Sequence, residues 1–167
     1  MARVAAADRH WRQLPPVPRA IATAAVEALA AVQSGDSVAF QQASTRLAAL
    51  DREQVGLVLG AVVRALLEDL HPGGLSGEDI QDVLARCLST SAACFPDVDA
   101  NVLLVLLAGS LGIHPDSEEV QPVSAVQMST HAPLLIATLV GPSSRSFPTY
   151  LNAAFAEIAR SETVEMP

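Results

Sequence analysis

Cysteine and histidine residues are the first candidates for chemistry in this chain. Five of them could be ligands of a zinc ion if their spacing were suitable: Cys87, Cys94, His71, His114 and His131. Structural zinc sites use close ligand pairs, with about two to five residues between the ligands, and none of these residues forms such a pair. Both cysteines lie on the apolar face of a predicted helix, where thiols behave as small hydrophobic groups. The sequence therefore predicts no catalytic residue, no metal ligand and no cofactor.

An acidic stretch has part of the spacing of a calcium-binding loop. Asp97, Asp99 and Asn101 match the first, third and fifth positions of an EF-hand. That loop also needs glycine at its sixth position and a bidentate glutamate at its twelfth. Val102 and Ala108 stand at those two positions. Because the turn and the best ligand are both missing, the two aspartates are interpreted as alternative caps of the helix that follows.

Gly56, Gly60 and Arg64 recur every four residues on one side of the third predicted helix, opposite its apolar stripe. A glycine inside a helix costs about 1 kcal/mol relative to alanine, so a pair of them calls for a compensating reason. One reason is the close approach of another helix of the same chain, a second is the approach of a second copy, and the third interpretation is plain exposure. The pattern predicts a helix-packing or dimer face.

The charge distribution bears on the class of partner. The chain has a net charge of −8, its ten basic residues are all arginine, and residues 65–119 contain ten acidic side chains and only Arg86. Nucleic-acid binding normally needs a basic patch, so DNA or RNA is not an expected partner. The acidic stretch could face a basic protein surface, but such charges more often form a solvated face.

Neither a membrane span nor a disulfide is expected. The longest apolar run, residues 102–109, is far shorter than the roughly 20 residues that cross a bilayer. Cys87 and Cys94 would lie about 10 Å apart on one helix, beyond the ~7 Å that a disulfide allows. Free thiols suit a reducing compartment, so a cytoplasmic location is the expectation.

Proline clusters and composition divide the chain into three parts. Residues 1–16 are basic and end at Pro15 and Pro16, which predicts an extended arm. Trp11, the only tryptophan, lies in this arm and is expected either to dock on the body or to contact a partner. Residues 17–160 are predicted to form a helical bundle domain, and residues 161–167 a C-terminal tail.

The body of the chain has helical periodicity and no sustained alternation of a strand, so the predicted fold class is all-α, a single bundle of six or seven helices. Asp36, Asp51 and Ser76 have the side chains of helix N-caps. A fifth helix, residues 98–113, is apolar on nearly every side and is therefore predicted to be the central helix of the bundle. A sixth, residues 122–140, is expected to bend or break near Pro133.

Three functions are compatible with these features. Because chemistry-bearing side chains are sparse and mostly have cap or surface roles, the leading hypothesis is a non-catalytic helical protein. It would act through protein–protein contacts, as a homodimer or in a regulatory or assembly role. A core with few large side chains could instead leave a pocket for a small apolar ligand. The third hypothesis is an enzyme whose groups converge from His71, His114 or His131 and nearby acids.

Overall fold

The computed structural model describes residues 13–113 and 121–165. This part of the chain contains seven α-helices and no strand, which confirms the all-α fold class and the single bundle of six or seven helices. Of the predicted arm, residues 1–16, the first twelve with Trp11 lie outside the described residues, and Pro16 is the first residue of a helix. The helices are α1 (Pro16–Ser34), α2 (Ser37–Ala48), α3 (Arg52–Leu70), α4 (Gly77–Ser91), α5 (Ala100–Ser110), α6 (Ala125–Val140) and α7 (Phe147–Val164).

Short polar side chains set the helix boundaries. The carboxylates of Asp36 and Asp51 accept hydrogen bonds from main-chain N–H groups in the first turns of α2 and α3. Ser76 and Asp79 form a reciprocal capping box at the start of α4, and the bonds from Ser76 to the carboxylate hold the pKa of Asp79 below its usual value. Gly35 ends α1 with a φ of 69°, a left-handed conformation that suits glycine. The predicted caps at positions 36, 51 and 76 are therefore confirmed.

The central helix of the bundle is α6, and the prediction that residues 98–113 occupy that position is wrong. Six consecutive residues of α6, 131–136, are buried, and the helix packs against each of α1 to α5. The apolar helix α5 has only eleven residues and packs against α3, α4 and α6. Its outer side is exposed, with Leu104 45% accessible. Apolar composition alone therefore does not decide which helix is surrounded by the others.

Helix α6 can be buried because its polar side chains bond within the helix or to its neighbours. Thr138 donates to the main-chain carbonyl of Leu134, and Thr130 donates to that of Val126. The expected break at Pro133 does not occur, since α6 continues through this residue to its C-terminal end. Buried polar groups with partners avoid the desolvation penalty that would otherwise keep such a helix at the surface.

Helix α7 joins α3 across a large sequence separation. At one end, Tyr150 donates a 2.9 Å hydrogen bond to Asp69 and lies 2.7 Å from the hydroxyl of Ser143. Further along, Arg64 forms an ion pair with Glu157. Helix α7 continues to Val164, so most of the predicted tail after residue 160 belongs to this helix. These contacts make α7 one side of the surface described next.

Candidate functional site

His131, a candidate for catalysis, has both ring nitrogens engaged in structural hydrogen bonds. The ring is 4% exposed. Its Nδ1 donates to the carbonyl of Gln127 at 2.8 Å, because a carbonyl can only accept, and its Nε2 accepts from the main-chain N–H of Asp99 at 3.0 Å. Phe95 packs edge-on against it, with 5.7 Å between ring centroids. Burial lowers the pKa of His131, so the neutral ring links α6 to the start of α5.

The other two candidate histidines do not join it. His71 ends α3, and its Nδ1 lies 3.8 Å from a carboxylate oxygen of Asp79, longer than a hydrogen bond. Its Nε2 is buried and has no hydrogen-bond partner within the described ranges. His114 lies outside the described residues. In residues 13–113 and 121–165, no three histidine, cysteine or acidic side chains are grouped to hold a metal ion.

The two cysteines are free thiols in the interior. Cys87 is fully buried on α4, where its sulfur lies 3.8 Å from the hydroxyl of Ser91. Cys94 is 5% exposed just beyond the same helix. Burial raises the pKa of both thiols, which lowers the fraction of reactive thiolate at neutral pH. Their geometry is that of core residues.

A groove of about 720 Å³ lies between α3, α5, α6 and α7. We call it the α3 groove. Its lining includes Gly56, Leu57, Gly60 and Arg64 of α3, Leu106 of α5, Met128 of α6, and Ile158 of α7. A more open depression of about 590 Å³ continues from it along the first turns of α3 and includes Glu53. All three residues of the predicted packing face, at positions 56, 60 and 64, therefore line the α3 groove.

The two glycines of this face have different surroundings. A Cβ atom on Gly56 would lie 3.2 Å from Cε of Met128, so the missing side chain makes room for that methionine. A Cβ atom on Gly60 would have nothing within 4 Å among the described residues. Within residues 13–113 and 121–165, no backbone comes close enough to require glycine at position 60. The proposals of a second copy and of plain exposure both stay open at this residue.

The rim of the α3 groove carries charges of both signs. Arg64 joins the α3 side to the α7 side through its ion pair with Glu157, and both side chains are almost half exposed. Arg52 lies on the α3 side, and Glu162 and Glu165 lie on the α7 side. Between them stands Leu57, which is 55% exposed. The groove thus combines an exposed apolar side chain with a rim that carries charges of both signs.

Sequence reasoning located the α3 side of this groove by the spacing of its glycines, but it did not single out Leu57 or Ile158. Leu57 is an ordinary apolar residue in a helix of which most apolar residues are buried. Its exposure agrees with the helical period, because Leu57 lies outside the buried apolar stripe of α3. That it lines a groove depends on how α5 and α7 pack beside α3, and no local pattern encodes that packing. Only a sequence signal for the packing of α3 against α7 would have identified the residues on both sides of the groove.

Comparison with known proteins adds no assignment, because no protein-family model, curated protein or solved structure matches the chain. Within the described part, no helix combines the length and apolar character needed to cross a bilayer.

Proposed function

We propose that this chain is a non-catalytic helical protein that acts through protein–protein contacts, in an assembly or regulatory role, with the α3 groove as its contact surface. The observation that carries the proposal is the exposed Leu57 beside the open Gly60, in a groove with a mixed-charge rim. The structural bonds of His131 support a role outside catalysis for that residue. The net charge of −8 supports a protein partner rather than a nucleic acid, and the free thiols support a cytoplasmic location.

The first experiment tests whether this surface mediates self-association. In sedimentation velocity over a micromolar concentration series, we expect the unaltered chain to form dimers. Leu57→Arg should weaken association at least about tenfold, since it puts a charge into an apolar contact. Val38→Arg is the matched control, because Val38 is 64% exposed on α2 and does not line the groove. Equal weakening by both variants, or a monomer at every concentration, would contradict the proposal.

Gly60→Leu provides a variant in which loss of folding cannot explain the result. Leucine is a better helix former than glycine, and open space surrounds Gly60, so the monomer should gain up to about 1 kcal/mol of stability. The same side chain should fill the α3 groove and weaken dimerisation. Thermal unfolding and sedimentation are therefore expected to move in opposite directions. A more stable chain with unchanged association would indicate that Gly60 is simply exposed.

A small apolar ligand is the second candidate, favoured by the size of the groove and by Met128 and Ile158 in its lining. Its volume of about 720 Å³ falls within the range of small-molecule sites. Titration with the fluorescent probe N-phenyl-1-naphthylamine should then saturate at one molecule per chain. Met128→Glu should abolish binding, whereas Val126→Glu, at a 64% exposed position of the same helix, should not. A titration that does not saturate would exclude this candidate.

A further inference from the structure

Four side-chain positions form a stripe along α3, from the adjoining depression into the α3 groove: Glu53, Leu57, Gly60 and Arg64. Their spacing of four, three and four residues keeps them within about 60° of arc on a helix with ~3.6 residues per turn. Glu53 and Leu57 are exposed, Arg64 has 43% of its side chain exposed, and Gly60 has open space above it. The stripe spans roughly 17 Å, about three helical turns. From its N-terminal end, the stripe presents an acidic side chain, an exposed leucine, a hollow above the glycine and a basic side chain.

This order is self-complementary under two-fold symmetry. We infer that the occupant of the α3 groove is the α3 helix of a second copy of this chain, packed antiparallel across a two-fold axis between residues 58 and 59. This inference rests on the proposed function, and it specifies the partner. In this arrangement Leu57 enters the hollow over the partner's Gly60, and Glu53 faces the partner's Arg64. Each contact occurs twice, as symmetry of a closed dimer requires.

Charge complementarity supports the antiparallel arrangement over the parallel one. A two-fold axis along the helices would place each charged residue of the stripe opposite its own copy, so that Glu53 would face glutamate and Arg64 would face arginine. Like charges across an interface oppose association, whereas the antiparallel pairing joins opposite charges at both ends. Glu53 has no ion pair within the described residues, so it is available for the partner. Arg64 pairs with Glu157, and its Nε lies 3.9 Å from a carboxylate oxygen of Glu68. With five N–H donors on its guanidinium, Arg64 has room for one further carboxylate beside these two.

The surroundings of Gly60 fit the entry of a leucine side chain. Leu106 of α5 and Ile158 of α7 also line this groove, so the incoming side chain would meet apolar surface on both sides. No contact among the described residues requires glycine at position 60, and in the dimer this glycine makes room for the partner's Leu57.

Charge reversal tests the pairing directly. Glu53→Arg makes both facing positions basic, Arg64→Glu makes both acidic, and each variant alone should lose dimerisation by at least about tenfold. Mixed in equal amounts, the two variants should associate, because every facing pair then joins opposite charges. The double variant E53R/R64E should dimerise with itself for the same reason. Native mass spectrometry separates the mixed dimer from the two self-pairs by mass.

The matched control is Asp82→Arg, which makes the same charge change at an exposed position of α4 away from the groove. Mixed with Arg64→Glu, it should not restore association. Because Arg64 also pairs with Glu157, circular dichroism must show that Arg64→Glu is folded. If it is not, Arg64→Gln takes its place and should still prefer Glu53→Arg over its own copy.

The outcomes separate this inference from the proposed function. Preferential mixed dimers establish the antiparallel pairing. Statistical mixing in a chain whose dimer is still weakened by Leu57→Arg would overturn the pairing and leave the α3 groove as a contact surface. A chain that is monomeric at all concentrations would overturn self-association altogether.

Discussion

Replacement of Leu135 by alanine is expected to lower the free energy of unfolding by about 2–5 kcal/mol. Leu135 is fully buried in the middle of α6, the helix that packs against each of α1 to α5. Truncation removes its dispersion contacts with several helices at once and leaves a cavity that a close-packed core cannot easily close. Urea unfolding followed by far-ultraviolet circular dichroism measures the change as a shift of the midpoint at constant slope.

Leu104→Ala is the control for this result. Leu104 lies in α5, the helix expected from its composition to be central, but its side chain is 45% exposed. Its truncation should therefore cost less than about 1 kcal/mol, since surface substitutions usually have small effects. Equal losses at Leu104 and Leu135 would mean that α5 is as deeply surrounded as α6, contrary to the packing described above.

Acidification below neutral pH should destabilise the fold through His131. Burial lowers the pKa of His131 in the folded state, so between the two pKa values the unfolded chain binds the additional proton. Stability therefore rises with pH in this interval. The full contribution is present above the unfolded value of about 6.5 and is lost as the pH falls through that value toward the lower folded pKa. A protonated Nε2 would also present a hydrogen to the Asp99 N–H that it now accepts from.

Urea midpoints between pH 7.5 and 5 measure this dependence, whose slope for one proton is at most about 1.4 kcal/mol per pH unit. His131→Gln should flatten the profile and, by disturbing buried hydrogen bonds, should cost about 1–3 kcal/mol at pH 7.5. Asp79 acts in a separate window: its folded pKa is lowered, so its contribution is present above about 3.8 and is lost below that value. An unchanged slope in His131→Gln would refute the role of this histidine.

The features that the sequence predicted correctly are mostly encoded locally. Asp36, Asp51 and Ser76 cap helices because their side-chain oxygens reach N–H groups only three residues ahead. The apolar stripe of α3 is buried as its periodicity predicts. Both signals are complete within a short segment, so they do not depend on how distant helices pack.

The errors concern burial, which is set by the packing of distant segments. Helix α5 is the more apolar, yet α6 takes the centre, where the buried His131 has hydrogen-bond partners for both ring nitrogens. The α3 groove follows the same logic. The spacing of its glycines is visible in the sequence, whereas Leu57 lines a groove only when α5 and α7 have packed beside α3.

The pairing of α3 with α7 also has a consequence for the order of events during synthesis. Arg64 and Glu157 are 93 residues apart, and Asp69 and Tyr150 are 81 apart, so these contacts close long loops and have high contact order. On a ribosome, α3 emerges well before α7 has been translated. The α7 side of the groove is therefore absent from a nascent chain until α7 docks. Nascent chains on neighbouring ribosomes of one messenger RNA therefore have the complete α3 groove only after α7 of each chain has been translated and has docked.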